Sequence, residues 1–295
     1  MTRRPVLFAA AGAIVIAFSA ILVKLADVAP STAAFFRCAY ALPVLAVLAA
    51  LEGRRFGPCE ARDRHLAWIA GFFFAADLTF WHHCIAEVGA GLATVLGNVQ
   101  VVLLGLIAWV WLDERPDGHS LVAVPVVLSG VVLISGAIGA GAYGDNPGLG
   151  VAYGLLTALT YALFILLLRR GNRDRRRPAG PLFDATLSGA VFSALGGLAV
   201  GDIDFVPGLE AQAWLVTLAL TSQVLGWLLI SVSLPRLPAL LTGITLTIQP
   251  VGSVLLGVVL LSEAPSVVQV VGVAVVIGGV LVATVKPRPV PAPAG

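Results

Sequence analysis

Residues 76–100 read ADLTFWHHCIAEVGAGLATVLGNVQ, and this stretch decides the fold. GFFFA precedes it and VVLLGLIAWVWL follows it, both without charge, yet it holds Asp77, His82, His83, Glu87, Asn98 and Gln100. Polar groups this dense between apolar runs either spoil a water-soluble core or line something inside a membrane. Composition decides between the two. Of 295 residues, 59% are apolar and 12% charged, against about 45–50% and about 25% in soluble domains. Mean hydropathy is +0.98. A domain of this size still exposes much of its surface, so the apolar excess cannot be kept from water. A bilayer removes the difficulty.

A bilayer core takes about 20 apolar residues per helix. The sequence predicts ten such spans, at about 6–25, 32–51, 66–86, 90–112, 120–138, 148–170, 181–201, 212–234, 239–261 and 265–285. Short joints rich in Pro, Gly or charge separate most of them, among them AEVGA, DERPDG, YGDNPG and SEAPS. The segments are twice too long for barrel strands and show no alternation. The opening MTRRPVLFAAAGAIVIAFSAIL has the basic start of a secretory signal. Its run fills a whole span and equally apolar segments follow, so it reads as the first transmembrane helix. The expected class is an all-α integral membrane protein.

Basic residues collect on the cytoplasmic side of membranes. With the N-terminus inside, the inner segments hold 16 of the 18 Lys and Arg residues, leaving only Lys24 and Arg37 elsewhere. Asp27, Glu87, Asp145, Asp202, Asp204, Glu210 and Glu263 fall outside. This predicts a multi-pass protein of the inner membrane with both termini cytoplasmic. The run RRGNRDRRR (169–177) reads as a topological anchor closing the sixth span, not as a nucleic-acid patch. Residues 287–295, rich in proline, read as an extended, disordered cytoplasmic tail.

The chain also repeats itself. At an offset of 146, Trp68, Asp77 and Trp81 fall on Trp214, Gln223 and Trp227. At 149, Gln100 falls on Gln249, LDERP (112–116) on LSEAP (261–265), and VVLSGVVLIS (126–135) on VVIGGVLVAT (275–284). Two five-span repeats follow, 1–140 and 141–286. Five is odd, so the second half is expected upside down, as in secondary transporters with a site between inverted repeats. At 1.5 Å rise per residue, Asp77, Gln100, Gln223 and Gln249 all reach roughly the bilayer midplane. Facing lipid there would cost several kcal/mol each. A shared water-filled cavity avoids that cost.

At this point the chain resembles the drug/metabolite transporter superfamily, in its EamA branch. The resemblance is carried by FFRCAYALPVL (35–45), GLATVLGNVQVVLLGLIAWVWLDERP (91–116) and TGITLTIQPVGSVLLGVVLLSEAP (242–265), and by the duplication itself. It implies a secondary transporter working by alternating access. Relatives carry amino acids, other metabolites or toxic cations. GNVQVV departs from the Trp-Pro-containing fourth span of amino-acid exporters in the superfamily, so their substrate is not carried over.

Asp77, the acid deepest in a span, is the expected proton carrier or cation ligand, because desolvation disfavours the charged form. Trp81 and Trp227 lie one turn beyond Asp77 and Gln223 and are candidate cavity walls. Thr242, Thr245 and Gln249 fall within about 60° on one helix face, as do Thr94 and Asn98. Each stripe lines a path or bonds neighbouring helices. Tyr161 is a further cavity candidate. His82 and His83 are candidate relay or gate residues, with interfacial packing the competing reading. With Cys84 they do not form a metal site, since adjacent helical residues point about 100° apart. Arg37, also a candidate gate, is expected to snorkel to the surface, or to meet a carboxylate or an anionic substrate group. Asp184 reads as an acid favoured by a helix start. Pro250 is expected to kink its span and free the Leu246 carbonyl.

The expected partners are a small-molecule substrate, membrane lipids and protons, with no cofactor and no nucleic acid. Nothing in the sequence fixes an oligomeric state. Competing readings are an intramembrane enzyme acting on lipid or peptide, and a transport-inactive membrane scaffold. The sequence lacks H-E-x-x-H and G-x-x-x-x-G-K motifs, and paired midplane polar groups would be wasted in a scaffold.

Overall fold

The computed structural model describes residues 3–100, 102–103, 107, 118–134, 143–172, 174, 176–233 and 248–284. Among the described residues all regular structure is helical. In chain order the helices are α1 (Arg3–Ala17), α2 (Ser19–Ala26), α3 (Pro30–Ala39), α4 (Leu42–Phe56), α5 (Ala61–Gly97) and α6 (Gly118–Ile134). There follow α7 (Pro147–Gly171), α8 (Ala179–Val200), α9 (Leu209–Leu218), a π-helical segment (Ala219–Gly226) and α10 (Trp227–Ser233). The last two are α11 (Ile248–Leu261) and α12 (Val267–Thr284). Among the described residues, six stretches are long and apolar enough to cross a membrane: Leu7–Ala26, Pro30–Phe56, Ala61–Gly97, Pro147–Leu168, Ala179–Val200 and Leu209–Ser233. Shorter apolar helices occupy Pro125–Ile134, Ile248–Leu261 and Val267–Gly279.

Local sequence sets where these helices begin and turn. Pro30 and Pro147 open α3 and α7, where a missing N–H costs nothing. The Asn146 side chain caps α7 by accepting from the Leu149 N–H at 3.1 Å. Within α5, Gly89 sits at φ 83°, ψ 169°, dividing it into two helical runs. That conformation favours glycine, because a Cβ there is strained.

Among the helix pairings of the described residues, four show how small residues set the crossings. α5 packs against α7 in antiparallel fashion, Gly171 meeting Leu66, Phe164 stacking on Phe74 at 4.5 Å, and Gly150 meeting Val88. α1 packs against α10 and the π-helical segment. There Gly12 and Gly226 allow backbone contact: a Cβ on Gly12 would lie 2.9 Å from the Gly226 carbonyl oxygen, and one on Gly226 would lie 2.6 Å from Ile16. α3 runs antiparallel to α8, with Gly197 at Ser31 and Gly189 at Cys38. α6 runs antiparallel to α12, with Gly279 at Val127 and Gly272 at Leu133. Small residues at these crossings bring backbones together where lipid offers no hydrophobic drive.

Polar ties join residues far apart in the chain. The buried Gln269 accepts from the Tyr143 N–H at 2.7 Å and donates to the carbonyls of Ile134 and Tyr143 at 3.2 and 3.0 Å. The Glu263 carboxylate accepts from the N–H groups of Ala90 at 2.5 Å and Gly91 at 3.1 Å. These two donors open the helical run after Gly89, where helix N–H groups lack internal partners. Asp184 does more than sit at a helix start. Its carboxylate accepts from Arg64 at 3.2 and 3.4 Å, tying α8 to the beginning of α5.

Candidate functional site

A cavity of about 60 Å³ lies between the helices. Ile16 and Ser19 reach it from α1 and α2, and Arg37 from α3. Phe74, Asp77, Leu78, Trp81, Thr94, Gly97 and Asn98 line it from or just beyond α5, Thr157 and Tyr161 from α7, Trp227 from α10 and Gln249 from α11. Such a space holds no more than a few water molecules, so any larger guest requires it to widen. Asp77 stands 14 residues after Asp63 and 12 before Gly89 on α5, about 21 and 18 Å along the axis. It is deep from either end.

Asp77 is 6% exposed. No hydrogen-bond donor among the described residues reaches its carboxylate, although Arg37 and Tyr161 are close enough to interact electrostatically. Arg37 does not snorkel. It is 3% exposed, and its Nε–H donates to Gln223 Oε1 at 3.2 Å. Its guanidinium lies 5.7 Å from the Trp81 ring centroid and 5.9 Å from that of Phe74. The amide and the two ring faces replace the water that a surface arginine would seek. Arg37 makes no ion pair with a carboxylate among the described residues. A buried guanidinium and a buried carboxyl group thus face one small space without direct pairing.

Gln223 stands behind the cavity wall. It is fully buried and donates from Nε2 to Thr186 Oγ1 at 3.1 Å while accepting from Arg37. Asp77 and Trp81 both line the cavity, whereas of their counterparts only Trp227 does. The π-helical segment explains the difference. Gln223 lies within it, and i→i+5 bonding widens the turn and moves side chains out of α-helical phase.

Among the described residues, three hydrogen-bonding groups of wall residues are buried without a partner: Thr157 Oγ1, Trp227 Nε1 and Gln249 Nε2. Buried polar groups are ordinarily satisfied, so these three are unmet while the cavity is this small. The Trp227 ring sits edge-on to Tyr161 at 6.0 Å and to Phe164 at 5.1 Å. Gln100 is buried and lies within hydrogen-bonding reach of the Tyr161 hydroxyl, outside the cavity lining. Thr94 and Asn98 bond their own helix, Thr94 Oγ1 to Ala90 O at 2.9 Å and Asn98 Nδ2 to Thr94 O at 3.2 Å.

The histidines lie off the cavity. His82 Nδ1 is 3.1 Å from the Pro30 carbonyl oxygen, and its Nε2 is buried without a partner. His83 stacks on Tyr153 at 5.1 Å. Thr242, Thr245 and Leu246 lie outside the described residues, while Pro250 lies within the described part of α11. Ile16, Ser19, Phe74, Leu78, Gly97 and Thr157 join the lining without having been singled out from sequence. Ser19 carried a signal, a hydroxyl inside the first apolar run. Ile16 and Gly97 carried none.

The comparisons with known proteins agree with this architecture. A solved structure described only as a crystal structure of a protein superposes with a TM-score of 0.64 at 18% identity, covering 96% of this chain and 97% of that one. It shows the fold. The uncharacterized transporter YetK of Bacillus subtilis (strain 168) is 25% identical over 197 residues, 66% of this chain. The match spans 59% of that relative's length. The profile of the EamA-like transporter family matches residues 3–136 and 148–285. With both matches together spanning nearly the whole sequence, the chain belongs to the EamA-like transporter family.

Proposed function

We propose that this chain is a secondary membrane transporter that moves a small solute by alternating access between two inverted five-span halves. The observation that carries the reading is the Asp77 cavity. It gathers Arg37, Asp77, Trp81 and Asn98 from the first half and Tyr161, Trp227 and Gln249 from the second. A scaffold has no use for an unpaired carboxyl and guanidinium group buried at mid-depth, and an enzyme would reveal itself by chemical conversion of the label in the experiment below.

The helix pairings support the inverted duplication. Under the repeat, α3 corresponds to α8 and α6 to α12, and each pair packs antiparallel. Exchanging the halves also turns the pairing of α1 with α10 into that of α7 with the first run of α5. Halves related by an axis in the membrane plane produce this arrangement. The orientation we infer from charge places both termini and the 172–178 connection in the cytoplasm of an inner-membrane protein. A cysteine placed at Asp145 or Asp204 then reacts with an impermeant thiol reagent from outside, and one placed at Arg62 only after permeabilisation. The opposite pattern inverts the assignment.

The chemistry favours a zwitterionic or cationic cargo. Asp77 is open to an ammonium group, Arg37 retains donors for a carboxylate, and Trp81, Trp227 and Tyr161 supply apolar walls. Proton and cargo compete for Asp77, which couples transport to the proton gradient. Counterflow of radiolabelled zwitterions and cations in proteoliposomes tests the reading. Exchange of unmodified label across the membrane supports it. Chemical conversion of the label, or inertness across both classes, removes it.

A further inference from the structure

The Asp77 cavity, at about 60 Å³, holds only a few waters, so passage of a solute requires some of its walls to part. The pairings around it are not equally fastened. α3 and α4 are tied to α8 and its continuation at both ends. At one end Thr32 Oγ1 accepts from the Asp204 N–H at 2.8 Å. At the other, the Glu52 carboxylate accepts from the N–H groups of Ala179 at 3.0 Å and Gly180 at 2.9 Å. Beside Glu52, α5 is held to α8 by Arg64 on Asp184, and by Ser188 Oγ donating to the Trp68 carbonyl at 2.6 Å.

Between the helical run after Gly89 and α11 the fastening is single. Thr94 and Gly97 line the cavity from the first and Gln249 from the second. Towards Gly89 the two helices meet closely: a Cβ on Gly91 would lie 2.9 Å from Val254 Cα. Among the described residues, the bonds that Glu263, just beyond α11, accepts from the Ala90 and Gly91 N–H groups are the hydrogen bonds that join the two. The carboxylate packs against Gly89 and Gly257, where a Cβ would displace it. The chain aims it there. Ser262 adopts φ 56°, a left-handed conformation uncommon for a residue with a side chain. That turn brings the Glu263 N–H onto the Gly257 carbonyl at 3.1 Å.

We propose that the Glu263 carboxylate latches a gate at the Gly89 end of the Asp77 cavity, released when the run after Gly89 and α11 part to admit or discharge cargo. The inference rests on the transporter reading above. The chemistry suits a reversible latch. Both donors begin a helical run and have no internal partner, so water takes their N–H bonds when the carboxylate withdraws. Glu52 makes the same kind of bond to the start of α8, but the ties of Arg64 and Ser188 stand beside it, so its loss opens nothing.

Ser19→Cys places a reporter in the cavity wall, in a chain also carrying Cys59→Ser to remove the partly exposed native thiol. Asp145 is exposed, and the neighbouring Asn146 N–H meets the Glu87 carbonyl, which marks the Gly89 end. A small impermeant methanethiosulfonate is applied to sealed vesicles from the face on which Asp145→Cys reacts, whichever face that is. Modified residues are located by peptide mass. Labelling follows the population of the open state, and loss of one bond to a charged acceptor raises that population about tenfold or more. Glu263→Gln, which keeps one acceptor oxygen, is expected to speed labelling of Ser19→Cys about tenfold, and Glu263→Ala further, from this face alone. Glu52→Gln leaves the rate unchanged. Cys38 and Cys84 are buried, so their peptides stay unmodified while the fold is intact. If Glu263→Ala exposes them, Glu263→Gln decides. An unchanged rate in Glu263→Gln overturns the proposal. So does an equal rise from the opposite face, the mark of general loosening, or an equal rise in Glu52→Gln. Labelling reads opening and not carriage. A gate that opens in a chain inert in counterflow therefore keeps the latch and removes only the transporter reading.

Discussion

The Glu263 carboxylate grips the start of a helix from the other half of the chain, accepting the Ala90 N–H at 2.5 Å and the Gly91 N–H at 3.1 Å. It is 6% exposed, so water does not stand in for it. Its sequence counterpart Glu114 lies outside the described residues. Any widening between the second run of α5 and α11 must first break these two bonds.

Glu263→Ala therefore leaves two buried backbone donors without an acceptor. Each costs about 1–3 kcal/mol, and the midpoint of thermal unfolding in detergent falls accordingly. Glu263→Gln keeps one acceptor oxygen and loses less. Equal midpoints for Glu263→Ala and wild type would show that the contact is energetically idle.

Gln223 holds Arg37, and its own amide is anchored on Thr186. Gln223→Leu is close in size but leaves the Arg37 Nε–H unmet in a buried place. Losing a neutral hydrogen-bond partner to a buried charged group costs about 1.5–3 kcal/mol. The variant is expected to unfold earlier, or to swing Arg37 onto Asp77 and close the cavity to cargo. A variant with native stability and native transport contradicts this positioning role.

Gln249 lines the cavity and its buried Nε2 has no partner among the described residues, whereas Gln100 meets Tyr161 behind it. Gln249→Ala is expected to weaken substrate affinity roughly ten- to a hundredfold, the equivalent of about 1–3 kcal/mol. Gln100→Ala acts through the placement of Tyr161 and weakens affinity less. Tracer binding to both purified variants measures the order, and equal affinities in wild type and Gln249→Ala reject it.

Asp77→Asn removes the one titratable acid of the cavity at constant shape. Proton-driven accumulation in proteoliposomes is expected to vanish, together with the pH dependence of substrate binding, while exchange down a gradient persists. Under the proposed competition of proton and cargo for one carboxylate, cargo is expected to bind the wild type better as pH rises. Full proton-driven accumulation by Asp77→Asn would move the coupling elsewhere.

Much of this site is legible in sequence because polarity inside an apolar run is conspicuous. Asp77, Trp81, Asn98, Tyr161, Trp227 and Gln249 stand out that way, and all six line the cavity. Misplacements arise where a second structural fact intervenes. Arg37 reads as a snorkelling residue because nothing local announces that Gln223, 186 positions away, will accept its Nε–H. Gln223 reads as a cavity residue because repeat equivalence assumes α-helical phase, which the π-helical segment breaks. Asp184 reads as a dipole partner because Arg64 is distant in the chain. Periodicity finds faces, and it does not find long-range partners.

The charge in the cavity is one-sided, since Arg37 and Asp77 both belong to the first half and face neutral Trp227 and Gln249 from the second. Two identical half-length chains meeting about a dyad would bring two arginines and two aspartates to one small volume. Like charges at 4 Å repel by about 4 kcal/mol at an effective dielectric of 20. Joining the halves in a single polypeptide lifts that symmetry, so one copy keeps the ions while the other specialises in amide and indole. Under the proposed function the cargo would meet two different walls, and a molecule with unlike ends would have only one way round to sit.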